Sequence, residues 1–177
     1  MIDGTEMSIE RPQNNDYQRR MYSGKKKTHT DSALVISDKN RYIYFLSALY
    51  MGSVNDMGVI TTEFVAYQDW FKSKPCILDL GYVGIAKYYA FKELIIGNKR
   101  KPKKKGQPRE ELTEAEKQHN KEVSSNRIYV EHAIGRMKVY RVLKNKNRIK
   151  CYGRKNREIG VCAGLSNYKL RYKARAA

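Results

Sequence analysis

The chain has 177 residues, enough for one ordinary domain with a sizeable core, and 41% of them are hydrophobic, which excludes a disordered tail protein. No run of about 18 apolar residues is present and no charged leader precedes an apolar core, so neither a membrane span nor a signal peptide is expected. Thirty-six Lys and Arg against eighteen Asp and Glu leave a formal charge of +18, which calls for a polyanionic partner, foremost a nucleic acid.

In chain order, the first element is a short buried strand at Ile2–Asp3 that delivers a carboxylate at its end. SALVIS (32–37) and RYIYFLSALY (41–50) are β-branched and aromatic and flank the turn-forming Asp38-Lys39-Asn40, which predicts a hairpin. From Asp56 to Trp70 the spacing of the apolar residues Val59, Ile60, Phe64, Val65 and Phe71 suits one helical face, and Asp56 is expected to cap this helix. Cys76 to Leu78 is read as a buried strand with Asp79 at its carboxyl end, followed by a short helix over Gly84 to Tyr89.

Residues 98–110 form a basic loop whose prolines and glycine forbid a continuous helix. Beyond it, Thr113 and Glu116 have the spacing of a capping box, which opens a long helix running to about Leu143. Val123, Val130, Ile134 and Met137 should face the core, while Arg127, Glu131, Gly135 and Lys138 share a neighbouring face. A last, basic helix is predicted over Ile159 to Tyr172. Cys76, Cys151 and Cys162 are too few and too irregular for a disulfide framework or a zinc site, and read as free thiols in a reducing cytoplasm.

Three carboxylates on rigid elements suit phosphodiester chemistry. Attack on a phosphodiester sets a negative nucleophile against a negative target, and two magnesium ions about 3.5–4 Å apart relieve this at both the attacking and leaving oxygens. Magnesium takes hard oxygen ligands, so a few carboxylates suffice. Asp3, Asp79 and Glu131 meet this need if they converge. Each also has a plainer reading: Asp3 as part of a frayed terminus, Asp79 as a turn residue before Gly81, Glu131 as the helical ion-pair partner of Arg127.

Six blocks in order, DGTEMSIERP, YSGKKKTHT (22–30), GSVND (52–56), LDLGYVGI (78–85), KPKKK and NRIYVEHAIGRMKVYRVL (126–143), span nearly the whole chain. Together they resemble the DDE transposases of bacterial insertion sequences, in the family named after the fifth insertion sequence. The resemblance implies an α/β, RNase H-like mixed sheet flanked by helices, forming one catalytic domain over 1–177. It implies Asp3, Asp79 and Glu131 as catalytic ligands of two divalent ions, magnesium or manganese. It further implies DNA as partner, both element ends and target, a homo-oligomer, and a bacterial cytoplasmic protein associated with the nucleoid.

Lys25, Lys26, Lys27 and His29 are then expected to contact phosphate, as are Lys103, Lys104 and Lys105 of the basic loop; Arg127 and Lys138 would hold phosphate near the metals. Asn55 stands where the family more usually has histidine. Members usually carry a helical DNA-binding segment and more of the first strand before the leading aspartate, whereas only Met1 and Ile2 precede Asp3. A fragment, or a downstream reading frame with a separately made partner, is therefore expected, with strand cleavage and strand transfer dependent on the absent part. Two other functions fit the same residues: a non-catalytic nucleic-acid-binding protein, and an RNase H-like nuclease or resolvase.

Overall fold

The computed structural model describes residues 1–100 and 111–176. Its centre is strand β3 (Thr28–Ser37), which pairs antiparallel with β1 (Ile2–Ser8) on one side and with β4 (Ile43–Leu46) and β5 (Tyr50–Met51) on the other. Between β1 and β3 the chain forms helix α1 (Asn15–Met21) and the two-residue strand β2 (Tyr22–Ser23), which turns tightly back onto the start of β3. The hairpin expected around Asp38-Lys39-Asn40 is present as β3 and β4.

SALVIS is nearly continuous in apolar character because β3 is covered on both faces. Ala33 and Val35 point into a core with Met7, Val130, Ala133, Met137, Ile159 and Cys162. Leu34, one residue out of phase, points into a second core with Ile2, Val59, Ile60, Phe71, Leu78 and Tyr82. The two-residue period of a strand thus feeds two cores, one on each face. By the same period Asp3 shares a face with Met7, beneath the long helix, and Gly4 faces the opposite layer.

The second core is completed by α2 (Asp56–Glu63) and by a parallel pair, β6 (Phe71–Leu78) with β7 (Phe91–Ile96). The β6–β7 link contains a 3-10 turn at Leu80–Tyr82 and another at Ile85–Lys87, the latter within Gly84 to Tyr89, where a short helix is expected. Strand β6 lies against β1, but no ladder joins them, so the antiparallel and parallel strands form two hydrogen-bonded sheets. Strand β6 is longer than expected and tolerates Pro75 because its register with β7 shifts between Phe71 and Pro75.

Helix α3 (Glu114–Met137) begins with the predicted capping box, in which the Thr113 side chain accepts from the Glu116 amide and Glu116 from the Thr113 amide. Val123, Val130 and Met137 are buried as predicted, and Ile134 packs against the first core. The helix stops at Met137 rather than Leu143 because Tyr140 is extended; a separate turn of helix, α4 (Arg141–Lys144), follows. Helix α5 (Tyr152–Ala176) starts earlier than the predicted Ile159. Conversely, α2 ends at Glu63, well short of Trp70: Phe64 is already extended and Tyr67 adopts a left-handed φ of 63°. The α/β class is as expected.

Candidate active site

Asp3 is the second residue of β1, not the last, and its Oδ1 accepts from the following amide of Gly4 at 2.9 Å. Asp79 directly follows β6, and its Oδ1 likewise accepts from Leu80 at 2.8 Å, opening the 3-10 turn. Each aspartate is therefore fixed by its own backbone. Glu131 sits midway along α3, one turn after Arg127.

The four residues meet. Arg127 Nη1 donates to Asp79 Oδ1 at 2.9 Å, Nη2 donates to Asp3 Oδ2 at 3.2 Å, and Nη2 stands 3.8 Å from Glu131 Oε1. Residues 3, 79 and 131 are brought to one guanidinium from the start of β1, the end of β6 and the middle of α3. A frayed Asp3 does not describe this arrangement; the helical Arg127–Glu131 pair is present, and Arg127 reaches beyond it to Asp3 and Asp79. Asp3 is only 14% exposed in its side chain, and burial raises its pKa above the ordinary carboxylate value despite the opposing pull of Arg127; the nearby Asp79 carboxylate also raises it.

Beside this cluster lies a cavity of about 420 Å³, lined by Asp3, Glu6, Asp56 and Glu131 and by Lys25, Lys26 and Lys138. Lys25 and Lys26 reach it from the turn between β2 and β3, held by the Lys26 amide on Ser23 Oγ at 3.1 Å. Lys138, at the end of α3, donates from Nζ to the Glu6 carbonyl at 2.6 Å; burial and Lys26 lower its pKa. Lys27 and His29 do not line this cavity, and the His29 ring packs edge-on against Tyr22. Lys103, Lys104 and Lys105 lie outside the described residues.

Asp56 does not cap α2. The cap is Asn55, whose Oδ1 accepts from the Gly58 amide at 2.7 Å, which leaves the Asp56 carboxylate free to turn inward. A Cβ built on Gly4 would stand 2.1 Å from Asp56 Oδ1, and one on Gly81 would stand 3.8 Å from Oδ2. Asp56 thus occupies the space beside the two backbone segments that carry Asp3 and Asp79. Burial raises its pKa, Lys25 opposes this, and Glu6 and Asp79 add to the rise. Glu6 is not singled out in the sequence, and Asp56 reads there as a cap of α2; a glycine close behind each aspartate, Gly4 after Asp3 and Gly81 after Asp79, is a signal of close approach that could have pointed to Asp56.

The donors are all carboxylate oxygens, the chemistry that magnesium or manganese selects. Among the described residues, however, no group of three or more acidic, His or Cys side chains stands close enough to hold a metal as arranged, because the guanidinium lies between the carboxylates. A donor set of the right kind is present around a cation supplied by the protein itself.

A family model described as DDE superfamily endonuclease matches residues 2–167. The chain belongs to this family. Over 98% of its length it is 34% identical to a protein from Microchaete diplosiphon described as a probable transposase for insertion sequence element IS702. The chain spans 58% of that relative's length. No solved structure gives a significant match. DDE endonucleases generally depend on a divalent metal. Among the described residues no helix is long and apolar enough to cross a membrane.

Proposed function

We propose that this chain is a transposase catalytic domain of the type named after the fifth insertion sequence, cutting DNA at element ends and joining the freed strand to a target. The observation that carries this reading is the approach of Asp3, Asp79 and Glu131 to within 3.8 Å of one guanidinium, from three elements far apart in sequence. The DDE family assignment and the likeness to a probable transposase support it. The strand arrangement supports an RNase H-like fold: β1 lies between antiparallel β3 and the parallel pair β6–β7, with the leading aspartate on β1 and the glutamate on a helix laid over it.

In this reading Asp3, Asp79 and Glu131 hold two divalent ions, magnesium or manganese. When bound, these activate the attacking oxygen and neutralise charge on the departing one. The backbone bonds from Gly4 and Leu80 orient the two aspartates, and the strand ends and helix keep the oxygens in place. Arg127 offers a planar, doubly donating group suited to a phosphate, and Lys138 lines the same cavity as Asp3 and Glu131. Water is the nucleophile of the first step: its oxygen bonds to phosphorus as the bond to the 3′-oxygen breaks, leaving a 3′-hydroxyl. In the second step that hydroxyl oxygen bonds to a target phosphorus as the bond from that phosphorus to the target's 3′-oxygen breaks, which leaves a 3′-hydroxyl on the target strand.

Residues 1–177 are read as a single domain of a larger DNA-bound homo-oligomer in the bacterial cytoplasm, at the nucleoid. The charge of +18 is consistent with DNA as the partner of both steps. Cleavage of element-end DNA tests the proposal. Magnesium-dependent nicking should be lost in Asp79→Asn and in Glu131→Gln, and undiminished cleavage by either variant would remove the assignment of these ligands.

A further inference from the structure

Carboxylates gathered without a metal repel one another, and the repulsion is least screened between the partly buried Asp3 and Asp79, whereas the Glu131 side chain is 55% exposed. The chain answers this repulsion with one residue. Arg127 is only 16% exposed in its side chain, spans Asp3 and Asp79 with separate nitrogens, and keeps Glu131 at 3.8 Å. Its third nitrogen, Nε, is buried without a partner. A buried guanidinium with one donor unsatisfied is held where it is by the carboxylates rather than by a complete hydrogen-bond set of its own.

Resting on the reading of Asp3, Asp79 and Glu131 as metal ligands, we infer that Arg127 is a positioning residue that occupies the cation's place in the metal-free protein. The guanidinium keeps the three oxygen donors converged and must leave them when a divalent ion binds. It then becomes available to a phosphate, which accepts two parallel N–H bonds as a carboxylate does. Metal and arginine compete for one set of donors, so each weakens the other's hold, and this coupling is reciprocal.

Competition makes a prediction that simple scaffolding does not. If Arg127 only braced the site, removing it would loosen the carboxylates and weaken metal binding. If it occupies the cation's place, removing it frees the donors and strengthens binding. Magnesium chloride is titrated by calorimetry into the 177-residue chain, alongside Arg127→Gln, Arg127→Lys and Asp79→Asn, and thermal unfolding is followed with and without the metal. Arg127→Gln should melt below the parent without magnesium, gain more from magnesium than the parent does, and bind it about tenfold more tightly. Arg127→Lys keeps the charge but not the fork, so it should fold like the parent and fall between the two in affinity.

Parent-like or weaker magnesium binding in Arg127→Gln and Arg127→Lys, with binding by the parent lost in Asp79→Asn, overturns the inference and leaves the metal ligands standing. Binding that survives Asp79→Asn, or that is absent from every variant, removes the metal-ligand reading and the inference with it.

Discussion

The carboxylate of Asp56 fills the space where Gly4 lacks a side chain, with Oδ1 2.1 Å from the position a Cβ there would take. Two atoms cannot share that separation, and the Asp56 Cγ would also be only 2.8 Å away, so the whole carboxylate would have to move. Gly4→Ala should therefore destabilise the protein by roughly 1–3 kcal/mol, the usual penalty of overpacking. Because the clash is with one side chain, Asp56→Ala should remove most of it. A double-mutant cycle by urea unfolding measures this: the two substitutions should be markedly non-additive. Additive effects would mean that the close approach of Asp56 to Gly4 is not what constrains position 4.

Asp56 also carries a signature in pH. Burial holds its pKa above 3.8, so the folded chain keeps the proton to higher pH than the unfolded chain does. Where the folded state binds more protons, stability falls as pH rises. The penalty of ionising Asp56 is thus absent below about pH 3.9, grows through the raised folded value, and persists at neutrality. Asn has the same shape without the charge. In metal-free buffer, Asp56→Asn should melt above the parent at pH 7 and converge with it as the pH approaches the unperturbed carboxylate value. A constant difference across that range would show that ionisation is not the cause.

Much of this arrangement was legible in the sequence, for reasons that separate local from non-local physics. The α3 start could be read because a capping box is a four-residue contact, and its buried face because Val123, Val130 and Met137 repeat at helical spacing. The β3–β4 hairpin could be read from its turn. Helix α1 could not: it is seven residues long with only Met21 buried, too short for a period. Strand β7 is half exposed and finds its partner β6 in parallel, so no turn announces the pairing.

The same division runs through the candidate site. Helical spacing showed that Arg127 and Glu131 share a face, but not that Arg127 reaches Asp3, 124 positions away. At the start of α2, Asn55 and Asp56 are adjacent and equally able to accept a capping bond. The structure gives the cap to Asn55, with Asp56 against the space left by Gly4, a relation that only the packing of α2 against β1 reveals.

A second ion pair, remote from the site, ties α5 to the central strand. Lys155 Nζ lies 2.5 Å from Asp31 Oδ2, both side chains are at most 5% exposed, and the Tyr152 hydroxyl donates to Asp31 Oδ1 at 3.1 Å. Removing one member leaves the other charge buried and unpaired. Lys155→Met or Asp31→Asn should each cost about 3–5 kcal/mol, and the double variant should recover much of that loss. Equilibrium unfolding in urea is the measurement. A single-variant loss below about 1 kcal/mol would be that of an exposed pair and would contradict the burial.

The turn between β2 and β3 separates its three lysines. Lys25 and Lys26 line the cavity beside the carboxylates, and Lys27, at a left-handed φ of 54°, does not. If DNA enters with its phosphate at that cavity, Lys25 and Lys26 contact the backbone without reading bases. Replacing either with Ala should weaken binding alike for all sequences and lower the salt dependence of affinity by about one unit of slope. Lys27→Ala should change the slope less. Fluorescence anisotropy with a labelled duplex across a range of potassium chloride concentrations makes the comparison. An unchanged slope in Lys25→Ala and Lys26→Ala would place the DNA path elsewhere on the basic surface, because each released counterion must register in that slope.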